Sequence, residues 1–214
     1  DIGGSLRHPA NFCGVCSLKP TWGVLSLRGH IPPAPDQFVE GDLGVVGPMA
    51  RNAEDLRLLW SVLNHSPIQS RGDVKGARIA IWDEEPGWPL AREVKDAMKR
   101  AGEALAKQGA QVAHAKPDIG GETMMLSYRA ILTAIVSLGF PQEMFETFAA
   151  MNDADRKLVA DGKDVDGAAA NRLRATARFR EVAAAQVVQQ AMKDKLAAFF
   201  QKWDAVLMPI SPVT

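Results

Sequence analysis

Between residues 78 and 114 the hydrophobic period of the chain switches twice, and that switch restricts the folds open to it. Arg78-Ile79-Ala80-Ile81-Trp82 is a short apolar run of strand length. From about Pro89 to Gln108, Leu90, Val94, Ala97, Met98, Ala101 and Leu105 recur at helical spacing, and Gly109 supplies a stop. Gln111-Val112-Ala113-His114 is a second short strand. Strand, amphipathic helix and strand in close succession make a βαβ unit, whose strands pair in parallel through a right-handed crossover. The expected fold class is therefore α/β, with a mixed, partly parallel β-sheet flanked by helices.

Residues 1–51, rich in glycine and proline, predict loops and short strands of the kind that surround active sites. Asn52 predicts a cap for a helix with Leu56, Leu59, Trp60 and Leu63 on its inner face, and His65 to Gly76 reads as a polar linker. Residues 120–203 turn helical. One helix is expected from about Glu122 to Leu138, and a second begins at Pro141 with Met144, Phe145, Phe148 and Met151 inward. A long third, from about Gly167 to Trp203, is expected to bury Leu173, Ala177, Ala184, Val188, Met192, Leu196 and Phe199. Asp204 to Pro209 predicts a closing buried strand. The expected organisation is one domain, with loops and sheet core over 1–119, a helical cap over 120–203 and a return strand over 204–214.

At 214 residues and 47% hydrophobic composition the chain can bury a core adequate for a domain or a large part of one. Twenty-five basic residues balance 25 acidic ones, which argues against nucleic acid as a partner, and no apolar run reaches membrane-spanning length. Cys13 and Cys16 form a Cys-x-x-Cys, a spacing used by redox pairs and by half of a zinc site. No second such pair occurs and the four histidines are scattered, so the two are read as small buried thiols. Neither a metal nor a cofactor is expected. So few cysteines point to a reducing compartment, hence the cytoplasm.

The chemistry lies at the start of the chain, in Asp1-Ile2-Gly3-Gly4-Ser5-Leu6-Arg7. Two glycines leave backbone amides unshielded and free to converge on one point, as an oxyanion requires, and a serine places a hydroxyl beside them. The stretch continues Pro9-Ala10-Asn11-Phe12-Cys13-Gly14-Val15-Cys16-Ser17-Leu18-Lys19-Pro20-Thr21, and a second block follows at Gly47-Pro48-Met49-Ala50-Arg51 with Asp55. Together the two blocks resemble the amidase signature family, the Ser–cis-Ser–Lys amide hydrolases. The fold expected from the resemblance is a partial amidase-signature-type domain.

The resemblance implies hydrolysis of a carboxylic amide, with Ser5 as the nucleophile that forms an acyl-enzyme. It implies an oxyanion hole made from the N–H groups of Ile2, Gly3, Gly4 and Ser5, with Asp1 and Arg7 supporting the loop. It gives His8 no role. The family's lysine base and relaying second serine lie upstream of this segment, and Lys19 matches the structural Leu-Lys-Pro-Thr element. The chain is therefore expected to be an internal part of a larger amidase, inactive alone, whose activity rises toward alkaline pH as the lysine loses its proton. The expected partners are a small-molecule amide and either a second copy or the remaining part of the same enzyme. Met125 and Phe145, with Met124, Leu126, Met144 and Phe148, are candidates for an apolar acyl pocket, or simply helix core. The alternatives are the A component of a tRNA-dependent amidotransferase and a catalytically incomplete structural fragment. Those A components carry Tyr-Gly-Arg-Val-Ser where this chain has Trp22-Gly23-Val24-Leu25-Ser26, and a Ser-Leu-Asp-x-Ile run where it has Gly41 to Val46. Both departures favour a stand-alone amidase.

Overall fold

The computed structural model describes residues 1–30, 41–67 and 73–213. Part of the expected loop region (31–40), part of the polar linker (68–72) and the last residue of the return strand fall outside the described residues. The elements are α1 (Arg7–Cys13), β1 (Cys16–Ser17), β2 (Met49–Ala50), α2 (Ala53–Leu63), β3 (Arg78–Ile81), α3 (Arg92–Lys107), β4 (Gln111–His114), α4 (Gly121–Ser137), α5 (Gln142–Ala160), α6 (Ala168–Ala175), α7 (Phe179–Phe200) and β5 (Ala205–Leu207). They pack as two compact units. One holds Asp1–Ser26, Val45–Gly121 and Lys193–Thr214, the other Leu27–Gly44 and Glu122–Met192.

The first unit is built on the βαβ pattern. Its sheet has the order β4-β3-β5 and all three strands are parallel, with Ile79 opposite Val112 and Ala205, and Ile81 opposite His114 and Leu207. Among the described residues, antiparallel pairing is confined to a separate two-stranded sheet of β1 and β2. Central β3 carries the core: Ile79, Ala80 and Ile81 are buried, worth roughly 1.5–3 kcal/mol for each isoleucine. α3 lies against this sheet through Met98 and Gly102. The sequence did not point to Gly102, where a Cβ would stand 2.8 Å from Ile81 Cδ1, so a larger residue there would push the Ile81 side chain aside. Arg78 fixes β5 beside β3, giving two hydrogen bonds to the Asp204 carboxylate through its side chain and one through its amide.

Two expectations in this unit are corrected. Residues 7–13 form a helix rather than a loop, because Pro9 falls in the first turn, where a missing N–H costs nothing. Asn52 does cap α2, accepting from the Asp55 amide at 2.8 Å, but no residue of α2 is buried. Leu59 and Leu63 are exposed while Leu56 and Trp60 are half-buried, so the expected inner face of α2 is only partly covered among the described residues.

In the second unit α5 packs against α6. Three alanines of α6, Ala169, Ala170 and Ala175, are buried, their small side chains permitting close approach. The least exposed stripe of α5 runs through Phe148, Asn152, Asp155 and Val159, whereas Met144, Phe145 and Met151, expected inward, are exposed. Polar residues win that face because α6 and the turn after it supply their partners. Arg172 grips Asp155 with bonds of 2.8 and 2.6 Å, and Thr176 Oγ1 donates to Asn152 Oδ1 at 2.9 Å.

The expected single helix over 167–203 is two helices. Thr176 Oγ1 lies 2.9 Å from the Arg172 carbonyl oxygen one turn back, and the Arg178 amide donates to Glu181 Oε2 at 2.8 Å, which starts α7 afresh. None of α7 is fully buried, so Ala184 and Val188 are exposed while Met192, Leu196 and Phe199 are half-buried. Among the described residues no helix is long and apolar enough to cross a membrane.

The Arg172 guanidinium holds the Asp155 carboxyl below the usual carboxylate range. A carboxyl depressed in the fold stabilises it above the unfolded value, about 3.9, and that stabilisation is lost as pH falls through the folded value. Thermal unfolding followed against pH should show the wild type losing this contribution below about pH 4. Asp155→Asn should be less stable at neutral pH and lose less on acidification; parallel curves for the two would contradict this.

Candidate active-site loop

The Gly-Gly-Ser loop is shaped by one carboxylate. The Asp1 side chain is 0% exposed. Its Oδ1 accepts from the Gly4 amide at 2.7 Å and its Oδ2 from the Leu6 amide at 3.3 Å. Arg7 closes over it bidentately, with Nε 3.0 Å from Oδ2 and Nη2 3.1 Å from Oδ1. The backbone of Asp1 also pairs with Val45, whose amide donates to the Asp1 carbonyl at 3.0 Å and whose carbonyl accepts from the Asp1 nitrogen. Gly4 has φ +105°, a conformation side chains resist, and a Cβ there would overlap the His8 ring. His8 thus packs on the loop.

This geometry divides the four amides expected to face an oxyanion. The Gly4 amide is engaged by Asp1, because the carboxylate sits directly beneath the turn. Among the described residues the amides of Gly3 and Ser5 meet no acceptor, and the Ser5 hydroxyl has no hydrogen-bond partner. Ser5 is exposed, immediately before α1.

The two sequence blocks, one ending at Thr21 and the other starting at Gly47, meet behind this loop. Leu6 is buried, and a Cβ on Gly47 would stand 2.8 Å from Leu6 Cδ1, 3.0 Å from Pro20 Cδ and in collision with the Leu18 carbonyl oxygen. The Leu18 amide donates to the Pro48 carbonyl at 3.1 Å, and Cys16 and Ser17 pair with Ala50 and Met49. Gly47 and Pro48 are therefore the backing on which the serine loop rests. Lys19 Nζ donates to the Pro20 carbonyl at 3.4 Å, and burial first, then the nearby Arg7 charge, pushes its pKa down.

The remaining candidates stand apart. Cys13 is exposed and Cys16 half-buried, both free thiols, not the two buried ones expected, because Cys13 ends α1 on its open side. Met125 is half-buried on α4 and Phe145 exposed on α5, both in the second unit. Val24, at the position where the amidotransferase pattern carries arginine, is 50% exposed. Sequence reading missed the part played by Gly47, although its place in a Gly-Pro pair was a signal that backbone approaches closely there.

A buried aspartate, a glycine turn and an exposed serine, backed by the Gly-Pro-Met element, make up the candidate loop. The chain belongs to the amidase family, whose model, "Amidase", matches residues 1–214. It is 35% identical over 127 residues to the A component of the glutamyl-tRNA(Gln) amidotransferase of Cyanothece sp., a match covering 52% of this chain and 25% of that protein. Among solved structures it is similar to the A component of the glutamyl-tRNA(Gln) amidotransferase of Thermotoga maritima, with TM-score 0.66 and 21% identity over 100% of this chain and 46% of that one. Against a solved fatty acid amide hydrolase the TM-score is 0.61 and the identity 19%, covering 100% of this chain and 38% of that one. The matched segment thus spans about a quarter of the length of the curated relative.

Proposed function

We propose that this chain supplies the nucleophile and oxyanion donors of an enzyme that hydrolyses a carboxylic amide through a Ser5 acyl-enzyme. One observation carries the reading: an exposed serine hydroxyl beside two unengaged amides, on a loop held by a buried carboxylate. Ser5 Oγ attacks the amide carbonyl carbon, and the new oxyanion accepts from the Gly3 and Ser5 amides, each donor worth roughly 2.7–4 kcal/mol. Collapse breaks the C–N bond, the proton given up by the Ser5 hydroxyl leaves with the amine, and water then cleaves the Ser5 ester, releasing the carboxylic acid and returning a proton to Oγ. Asp1 and Arg7 hold the loop and take no proton.

The family's lysine and bridging serine have no match in this sequence, and Lys19 is committed to Pro20, so it is not assigned as the base. The substrate is a small-molecule amide, and Met125 and Phe145 remain candidates for its acyl pocket. A role as the A component of a tRNA-dependent amidotransferase is the second reading, favoured by the named relatives and opposed by Val24 standing where that pattern needs arginine.

A serine-directed fluorophosphonate applied to the full-length protein should label Ser5, and that same full-length protein, once purified, should hydrolyse a simple anilide without further protein components. Labelling of another serine would overturn the mechanism. Hydrolysis of glutamine alone, and only with partner proteins, would establish the second reading.

A further inference from the structure

At the carboxyl edge of the parallel sheet, where β3 and β4 end, lies an open cleft of about 710 Å³ formed wholly within the first unit. No residue of the serine loop lines it. Strand ends of this kind are where open α/β sheets take ligands, and the volume falls in the range of about 300–1,000 Å³ typical of small-molecule sites. Its apolar lining includes two indoles, Trp82 and Trp88, with Leu90 beside them. Trp88 is 43% exposed, a large aromatic surface left open to the cleft.

The charges lining the cleft do not cancel. The segment after β3 delivers three successive carboxylates, Asp83, Glu84 and Glu85. Glu85 is already satisfied, with Lys116 Nζ 2.9 Å and the Gly121 amide 3.0 Å from its oxygens. Asp83 faces the His114 ring, Nδ1 3.0 Å away, and Glu84 has no ion partner among the described residues. Against those two stands Lys95, the one uncommitted cation of the lining among the described residues. An anionic ligand would meet an excess of carboxylate charge, and a purely neutral one would strip water from the carboxylates with nothing in return. A cation gains from both the carboxylates and the indole faces, tryptophan being the best ring for such contacts.

We infer that this cleft binds a small organic cation with an apolar body, an aryl- or alkylammonium. Its positive head lies toward Glu84 and Asp83 and its hydrocarbon against Trp82 and Trp88. The site is separate from the acyl-transfer loop and does not depend on the reading of Ser5.

Calorimetric titration of the full-length protein with benzyltrimethylammonium chloride tests it. Saturable binding with a Kd of roughly millimolar order is expected for so small a ligand. Phenylacetate and 2-phenylethanol should bind at least about tenfold more weakly, and Trp88→Leu and Glu84→Gln should each weaken the cation about five- to tenfold. Both side chains lie open to the cleft, so the variants should melt with the wild type. Lys95→Glu, which removes the competing cation, should tighten binding several-fold and keeps the test open if either of the others unfolds. No saturable binding, equal binding of phenylacetate, or affinities unmoved by all three substitutions would overturn the inference.

Discussion

Ser5→Ala in the full-length protein is expected to remove roughly 10⁴–10⁶ of kcat for an anilide while leaving KM within a few-fold. Loss of a nucleophile removes the covalent route entirely, and what survives is the smaller acceleration from oxyanion donors and binding. Ser5 is exposed and its hydroxyl makes no hydrogen bond among the described residues, so the substitution costs the fold nothing. An unchanged melting temperature beside lost turnover is therefore the expected pair of results. Turnover within tenfold of wild type would remove Ser5 from the mechanism. Asp1→Asn should behave differently. It keeps the shape of the side chain but weakens three charge-assisted contacts, from the Gly4 and Leu6 amides and Arg7, so both stability and kcat should fall. That contrast separates the residue that reacts from the residue that shapes the loop.

What the sequence revealed, and what it hid, follows from how far each signal reaches. The βαβ unit was legible because its period, its glycine stop and its strand lengths are all local, and β3, α3 and β4 lie where those signals put them. The serine loop was legible because its glycines and the downstream Gly-Pro pair are tied to particular residues. The inner face of α5 was not. Hydrophobicity pointed to Met144, Phe145 and Met151, but Arg172 and Thr176, beyond α5 in the chain, make Asp155 and Asn152 the residues worth burying. No pattern within α5 encodes a partner outside it. The same limit hid the break before α7, where Thr176 and Glu181 offer the backbone side-chain bonds that compete with a continuous helix. It also hid the division of the candidate oxyanion amides: the motif offers four, and only the position of the Asp1 carboxylate shows that the Gly4 amide is engaged.

The second large effect is expected at a residue that touches no substrate. Gly47→Ala places a methyl against the Leu18 carbonyl oxygen, Leu6 Cδ1 and Pro20 Cδ at once, and two of these three belong to backbone or ring atoms that cannot rotate away. The segment must move as a whole. Overpacking of this kind costs about 3 kcal/mol, the upper end of its usual range, and should appear as a lower denaturant midpoint. Leu6 follows Ser5 directly, so the displacement passes to the nucleophile, and a shift of about 1 Å there lowers kcat on the order of 10²-fold even in protein that remains folded. Gly76→Ala is the matching control. Its φ is +77°, but nothing lies within 4 Å of a Cβ at that position, so only the backbone penalty of about 1–2 kcal/mol applies and kcat should not change. If the two variants lost stability equally and both kept full activity, the Gly-Pro-Met element would not be the backing of the serine loop. A selective loss of kcat at Gly47 shows that the two sequence blocks act as one piece, with the second holding the first in register for attack.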